Sequence, residues 1–309
     1  MSERPLVSVV MPAYNAAGFI ADALNSALAQ TYRPIEVLVA DDGSSDGTAA
    51  VVKGFGAPVV YLHQQNRGPA GARNLALSHA RGDFVAFLDA DDLWHPRKLD
   101  LQVAAMQSDP ELGMLGTQVT AKAPAGPAPD HPALTRVSYR RLYLGNLLTT
   151  SSVLVRRDLL NGAETFDEQF FGPEDFDVWL RVAARSAVAV LGAPLTCHRE
   201  VEGSVQGNPE RMRRCVRGVL DKADRAGGRP SLLAGLQARA NLEYRTAWQH
   251  SMQGRQWTAL ARVLQSFAFY PLWMPSGVLR MPCARVRLLA RVLMRAVAKP
   301  AAAGTKNGA

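Results

Sequence analysis

Four short apolar runs, Val7 to Val10, Ile35 to Ala40, Val59 to Leu62 and Phe84 to Leu88, alternate with helical patterning at Ala21 to Ala29, Thr48 to Phe55 and Gly71 to Ala80. Runs of this length rich in β-branched residues read as strands, and helices placed between them return the chain to the same end of a sheet. The order therefore predicts an α/β fold with a mostly parallel sheet covered by helices. In such sheets ligands bind beyond the carboxyl ends of the strands, where loops converge and helix N-termini point inward. Polar groups that carry chemistry are expected just after each run.

They are there. Met11-Pro12-Ala13-Tyr14-Asn15 follows the first run, Asp41-Asp42-Gly43-Ser44-Ser45-Asp46-Gly47-Thr48 the second, and Asp89-Ala90-Asp91-Asp92 the fourth. Carboxylates crowded at an apolar sheet end need compensation. Mg²⁺ or Mn²⁺ supplies it, being a hard cation that takes a few carboxylates plus phosphate oxygens; capping of the next turn is the plainer alternative. The Asp41 group suits a nucleotide's base and ribose, or else a simple turn with Ser45 or Asp46 capping the following helix. In Asn66-Arg67-Gly68-Pro69-Ala70-Gly71-Ala72-Arg73-Asn74, the glycines permit close backbone approach, and Arg73 either faces a phosphate or pairs with Asp41 or Asp89.

Further along, prolines at 124, 127, 129 and 132 assign Lys122 to Pro132 to an exposed loop. A strand at Ser152 to Val155, a helix from Glu174 to Ala184 and an apolar run at Val188 to Leu191 follow. Glu174-Asp175 opens that helix after Phe170-Phe171-Gly172-Pro173. Acids in a first turn are ordinary partners of the helix dipole, but a general base needs the same setting, a carboxylate on a rigid helix end facing a cleft.

Charge divides the 309-residue chain. Residues 1–206 hold 17 Lys and Arg against 23 Asp and Glu, a net of −6, whereas residues 207–309 hold 18 against 4, a net of +14. The basic third is patterned as helices at Arg211 to Arg225, Leu232 to Met252, Trp257 to Phe269 and Ala284 to Ala298. Arg287, Arg291, Arg295 and Lys299 recur every four residues beside Leu288, Leu289, Val292 and Leu293, a stripe suited to an anionic membrane surface or to solvent. Trp257, Phe267, Phe269, Tyr270 and Trp273 are then either core or interfacial anchors. The division sets domain expectations of 1–206 for an α/β domain, 207–299 for a helical region in contact with a surface partner, membrane or otherwise, and 300–309 as a disordered tail. Cys197, Cys215 and Cys283 show no zinc-site spacing and read as inert thiols. With no apolar run of about 20 residues, the expected location is cytoplasmic, at most peripheral on the inner face of the membrane.

As an ordered set these groups resemble glycosyltransferase family 2 across residues 6 to 206. The stretches VSVVMPAYNAAGFIADALNSALAQTY, VLVADDGSSDGT, NRGPAGARNLAL, ARGDFVAFLDADDLWHPRKL and GPEDFDVWLRV are each similar to one of that family's successive motifs. The resemblance implies a GT-A fold, an inverting mechanism, a nucleotide-diphosphate sugar donor, a saccharide or lipid-linked acceptor, and Mn²⁺ or Mg²⁺. It implies that Pro12, Ala13 and Tyr14 line the base pocket, that Asp42 with Asp41 beside it contacts the base, and that Arg73 approaches the donor. Asp89 is then assigned to the ribose or sugar, Asp91 to the metal, and Asp175, with Glu174 beside it, to the catalytic base. His198, with Arg199 and Gly203-Ser204, fits only with a gap the family's late loop over the diphosphate, and is kept as a second metal candidate. The QxxRW pattern of processive members is absent, since Trp179-Leu180-Arg181 lies on the base helix itself, so transfer of one or a few sugars is expected.

Two other classes compete. A nucleotidyltransferase is expected to carry a Gly-rich phosphate loop with Arg and Lys near the N-terminus, which Met11 to Asn15 is not. A non-catalytic nucleotide-sugar-binding module would not require both Asp91 and Asp175. Nucleic acid is the least expected partner, as no helix-turn-helix, zinc or stacking motif accompanies the basic third.

Overall fold

Alternate residues of the first strands enter opposite cores, and this makes the sheet the middle layer of the molecule. Val7, Val9 and Met11 of β1 (Val7–Ala13) pack on one face and Val10 on the other. Ile35, Val37 and Val39 of β2 (Ile35–Asp41) part in the same way from Leu38 and Ala40. A strand buried on both faces needs an unbroken apolar run, which is what the sequence has at these positions. The computed structural model describes residues 4–123, 126–160, 165–199, 208–272 and 283–297. Lys299, Trp273, Gly203-Ser204 and the 300–309 tail lie outside the described residues.

Nine strands form one sheet among the described residues, in the order β3-β2-β1-β4-β8-β6-β9-β5, with β7 also on β9. The remaining strands are β3 (Val59–His63), β4 (Phe84–Phe87), β5 (Leu93–Trp94), β6 (Leu112–Thr120), β7 (Leu134–Val137), β8 (Leu154–Arg156) and β9 (Ala187–Cys197). β1 pairs in parallel with β2 and β4, and β2 with β3. β8 runs antiparallel between β4 and β6, and β6 and β9 are again parallel.

One face is covered by α1 (Ile20–Leu28) and α4 (Lys98–Ser108), whose Ile20, Leu24, Leu99 and Met106 enter the first core. The other is covered by α3 (Gly68–His79), α5 (Tyr139–Tyr143) and α6 (Glu174–Ala183), with Trp179 fully buried against Phe87. α2 (Thr48–Lys53) connects β2 to β3. The loop at Lys122 to Pro132 holds no regular element among its described residues. Ser152 ends a short 3-10 turn, Thr150–Ser152, and the strand expected there begins two residues later, at Leu154.

Beyond residue 207 stand α7 (Pro209–Arg225), α8 (Leu232–Met252), α9 (Gln256–Phe269) and α10 (Ala284–Val297). Val219 and Leu220 of α7, with Ala234 and Ala238 of α8, belong to the same core as Trp179. The change of charge at 206 is thus not a packing boundary: one core continues across it. Among the described residues two separate small clusters form farther on, one from Ala247, Ala259, Val263, Leu288 and Val292 and one from Ala240 and Tyr270. Among the described residues no helix is long and apolar enough to cross a membrane.

Candidate active site

The loops after β1 and β2 are bound to each other. Asp42 N–H donates to the Ala13 carbonyl at 2.8 Å, and Asn15, in the left-handed region at φ 48, donates its N–H to Ser44 Oγ while its Oδ1 accepts from Ser45 N–H. Pro12 is half-buried and Ala13 buried, so Ala13 offers the site only backbone, whereas the Tyr14 ring stands 55% exposed at the strand's end. Asp42 is buried, and its carboxylate accepts from Gln64 Nε2 at 2.7 Å and from the Arg67 and Gly68 N–H groups at 2.8 Å each. It thereby ties the start of α3 to β2, and Gly68, at φ +79, makes the turn that aims this N–H. Asp41 accepts from Ser44 N–H and Tyr61 Oη–H; burial and this bond push the Tyr61 phenol up to about 12. The turn reading holds for Asp46, which accepts from Thr48 and from Ala17 N–H.

After β4 the three acids take different environments. Asp92 is fully buried and accepts from Ser151 Oγ at 2.5 Å, from His198 Nδ1 at 3.1 Å and from Arg199 N–H. Asp89 accepts from Arg73 at 2.7 Å. Asp91 receives no hydrogen bond to its carboxylate from another residue among those described. Burial, with Asp89 and Asp92 beside it, pushes its acid up to about 6. Unneutralised oxygen donors of this kind fit a hard divalent cation. Among the described residues no three His, Cys, Asp or Glu side chains converge to hold an ion unaided. Asp91 therefore fits a cation that takes most of its other ligands from phosphate oxygens and water. His198 is held through Nδ1 by Asp92, an arrangement that fixes a ligating imidazole with Nε2 outward. That bond and the surrounding acids raise its pKa to about 9, so ligation at Nε2 would displace a proton.

Arg73 joins this group to α6. Its Nη2 donates to Asp89 and its Nη1 to Glu174 at 2.6 Å, with both Arg73 and Glu174 buried. Burial opposes its charge, but Asp89 and Glu174 outweigh that and hold the guanidinium above its ordinary pKa. Of the partners open to Arg73 on sequence, Asp89 is the one it takes, so the guanidinium fixes that carboxylate. Glu174 also accepts from Gly172 N–H at 2.7 Å, so both its oxygens are engaged.

Asp175 differs from its neighbour. Oδ2 accepts from Asn146 Nδ2 at 3.1 Å and Thr150 Oγ1 at 3.0 Å, while Oδ1 accepts no hydrogen bond among the described residues. Burial and the Glu174 charge push its acid up to about 6, against the lowering effects of Arg73, Thr150 and Asn146. A buried carboxylate with one oxygen fixed, one open and a pKa near neutrality has the properties of a general base. Asn146 and Thr150 carry no motif. They are missed on sequence because they stand 29 and 25 residues before Asp175 and reach it only through the turn into β8.

Comparison with known proteins gives the same ordered set a family context. The model described as Glycosyl transferase family 2 matches residues 8–156. The UDP-Glc:alpha-D-GlcNAc-diphosphoundecaprenol beta-1,3-glucosyltransferase WfgD of Escherichia coli is 33% identical over 209 residues, covering 66% of this chain and 80% of that protein. The putative teichuronic acid biosynthesis glycosyltransferase TuaG of Bacillus subtilis is 44% identical over 108 residues, 33% of this chain and 42% of TuaG, so that match spans less than half of its length. Among solved structures, S. aureus TarS 1-349 superposes with a TM-score of 0.61 at 20% identity, covering 94% of this chain and 89% of that one. The mannosyltransferase PcManGT from Pyrobaculum calidifontis, in complex with GDP-Man and Mn²⁺, does so with 0.61 at 22% identity over 96% and 87%. Both solved structures share the fold.

Proposed function

The chain belongs to glycosyltransferase family 2, and from that premise we propose that it transfers one sugar from a nucleotide-diphosphate sugar to a hydroxyl of a saccharide or lipid-linked acceptor, with inversion at the anomeric carbon. The observation that carries this reading is the Arg73 bridge. It sets Asp89, behind the donor loops, beside Glu174, the neighbour of the open carboxylate Asp175. A donor held from the β-strand ends and an acceptor hydroxyl at Asp175 then meet across a short gap.

In this mechanism the exposed Tyr14 ring stacks on the base and the Asp42 loop reads its edge, while Asp89 takes a hydroxyl of the ribose or sugar. The acceptor oxygen attacks C1, the bond from C1 to the diphosphate oxygen breaks, and Asp175 Oδ1 receives the hydroxyl proton. A cation held at Asp91, with His198 Nε2 as a second ligand, would neutralise the charge that develops on the leaving diphosphate. Similar proteins support the substrate class: WfgD uses UDP-Glc and a diphosphoundecaprenol acceptor to form a β-1,3 linkage, TarS has been solved with UDP-GlcNAc, and PcManGT with GDP-Man.

Stereochemistry tests the proposal. Incubated with a panel of α-linked nucleotide sugars and Mn²⁺, the protein should yield a β-linked product by NMR of the anomeric proton. Retention at C1 would defeat direct displacement with Asp175 as base.

A further inference from the structure

We propose that the outer faces of α9 and α10 are a docking surface for an anionic lipid bilayer, with both helices lying in the plane of the membrane interface. α9 and α10 pack against each other and against α8, burying Val263, Leu288 and Val292. The faces turned away from that core are also apolar. On α9, Trp257, Ala261, Leu264 and Ala268 follow helical spacing and are all exposed, Trp257 by 70% and Leu264 by 52%. On α10, Val286, Ala290 and Leu293 do the same, with Met294 beside them 69% exposed. A helix apolar on its buried stripe and again on its outer stripe has an unmet partner for the second.

Charge selects the partner. Every acid after residue 206 sits on α7 or α8 in an ion pair: Glu210, Asp221, Asp224 and Glu243. From Tyr244 to the end of the sequence there are 10 Lys and Arg and no Asp or Glu. A second copy of the chain would bring this positive field against itself, whereas anionic headgroups complement it and the acyl boundary accepts Trp257, Leu264 and Met294. The basic stripe expected on α10 is reassigned in detail. Leu288 and Val292 are core, Arg291 lies over the Trp248 ring at 5.0 Å, and Arg287 and Arg295 are the exposed charges flanking Leu293 and Met294.

The test uses the full chain and vesicles of phosphatidylcholine with or without phosphatidylglycerol, read by co-sedimentation and by tryptophan quenching with brominated acyl chains. Binding should require phosphatidylglycerol. Trp257→Glu with Leu264→Glu should abolish quenching, while a soluble nucleotide sugar still binds the variant. Arg287→Ala with Arg295→Ala should weaken vesicle binding about fivefold for each arginine removed. The proposal is overturned by equal binding to neutral vesicles, by undiminished binding of both double variants, by preference for DNA over vesicles, or by a dimer that the Trp257→Glu, Leu264→Glu variant dissociates. None of these readouts depends on sugar transfer, so the proposed chemistry and the docking face can fail separately.

Discussion

Adjacent residues at the start of α6 divide the work of the candidate site, and substitutions should separate them. Glu174 is buried in a salt bridge with Arg73, so Glu174→Gln should cost about 3 kcal/mol or more of stability by leaving that charge half-paired, read as a lowered unfolding midpoint. Asp175→Asn should do the reverse. Its acid stands near 6 in the folded chain against an ordinary 3.8, so the ionised form destabilises the fold increasingly as pH rises through about 6, and the contribution vanishes below about 4. The amide therefore stabilises by about 2–3 kcal/mol at neutral pH, while transfer falls about 10²- to 10⁴-fold with donor affinity nearly unchanged. Equal turnover by Asp175→Asn and wild type would remove the base assignment. With Asp175 as the proposed base, Asn146 should act as a positioning residue: its hydrogen bond favours ionised Asp175, so Asn146→Ala should move the acid limb of the pH–rate profile upward from about 6. A purely structural Asn146 would lower the rate at all pH values without moving the limb. The acids of this site were legible because Asp89, Asp91 and Asp175 follow a strand or open a helix. Asn146 and Thr150 were not, since nothing local distinguishes an amide or a hydroxyl that meets its carboxylate only in space.

Among the elements, β1, β2 and β4 were legible because both faces are buried and the apolar runs are unbroken, and the edge strand β3, with Val60 and His63 exposed, by its short run of β-branched and aromatic residues. β6 was not. Gly113 and Gly116 punctuate its sequence as a turn would, yet each makes room for a neighbour. A Cβ on Gly113 would meet Ser186 and Leu159 within 2.5 Å, and one on Gly116 would meet Leu148 at 2.7 Å. Such close approach is set by tertiary packing and leaves no local trace. The C-terminal helices were legible by period, but the contacts that attach them were not. Glu210 of α7 accepts from His250 on α8 and from Arg262 on α9, as well as from Arg213. Burial pushes its acid up, but these donors outweigh burial and bring it down to about 2. The depressed value means that its contribution is present above the ordinary 4.5 and is lost as pH falls toward about 2. Glu210→Gln should therefore lose about 1–2 kcal/mol at neutral pH, and its deficit relative to wild type should shrink over that acid window in denaturant titrations. A deficit that stays constant from pH 6 to pH 2 would show that the charge is immaterial to the attachment.

At the scale of the whole molecule, the charge division and the packing division do not coincide. The acidic first part and the basic last part share a core through α6, α7 and α8, so the site at Asp175 and the surface on α9 and α10 belong to one body up to α8. The sequence shows the first division, because charge is read by counting, and hides the second, which depends on Val219 and Ala234 facing Trp179's core. Function should show the two divisions as two salt dependences. Chemistry at the buried Asp175, Glu174 and Arg73 cluster is poorly screened, whereas attraction of the exposed Arg287 and Arg295 to a headgroup layer is screened within about 10 Å at 0.1 M salt and about 3 Å at 1 M. Raising salt between those concentrations should therefore lower kcat/KM about tenfold or more for an acceptor embedded in phosphatidylglycerol vesicles. For a water-soluble acceptor saccharide with the same reacting hydroxyl the change should stay within about twofold. Because the donor is the same in both assays, any effect of salt on nucleotide-sugar binding cancels in the ratio. A parallel fall for both acceptors would place the salt-sensitive step in the catalytic cleft and detach the basic third from substrate delivery.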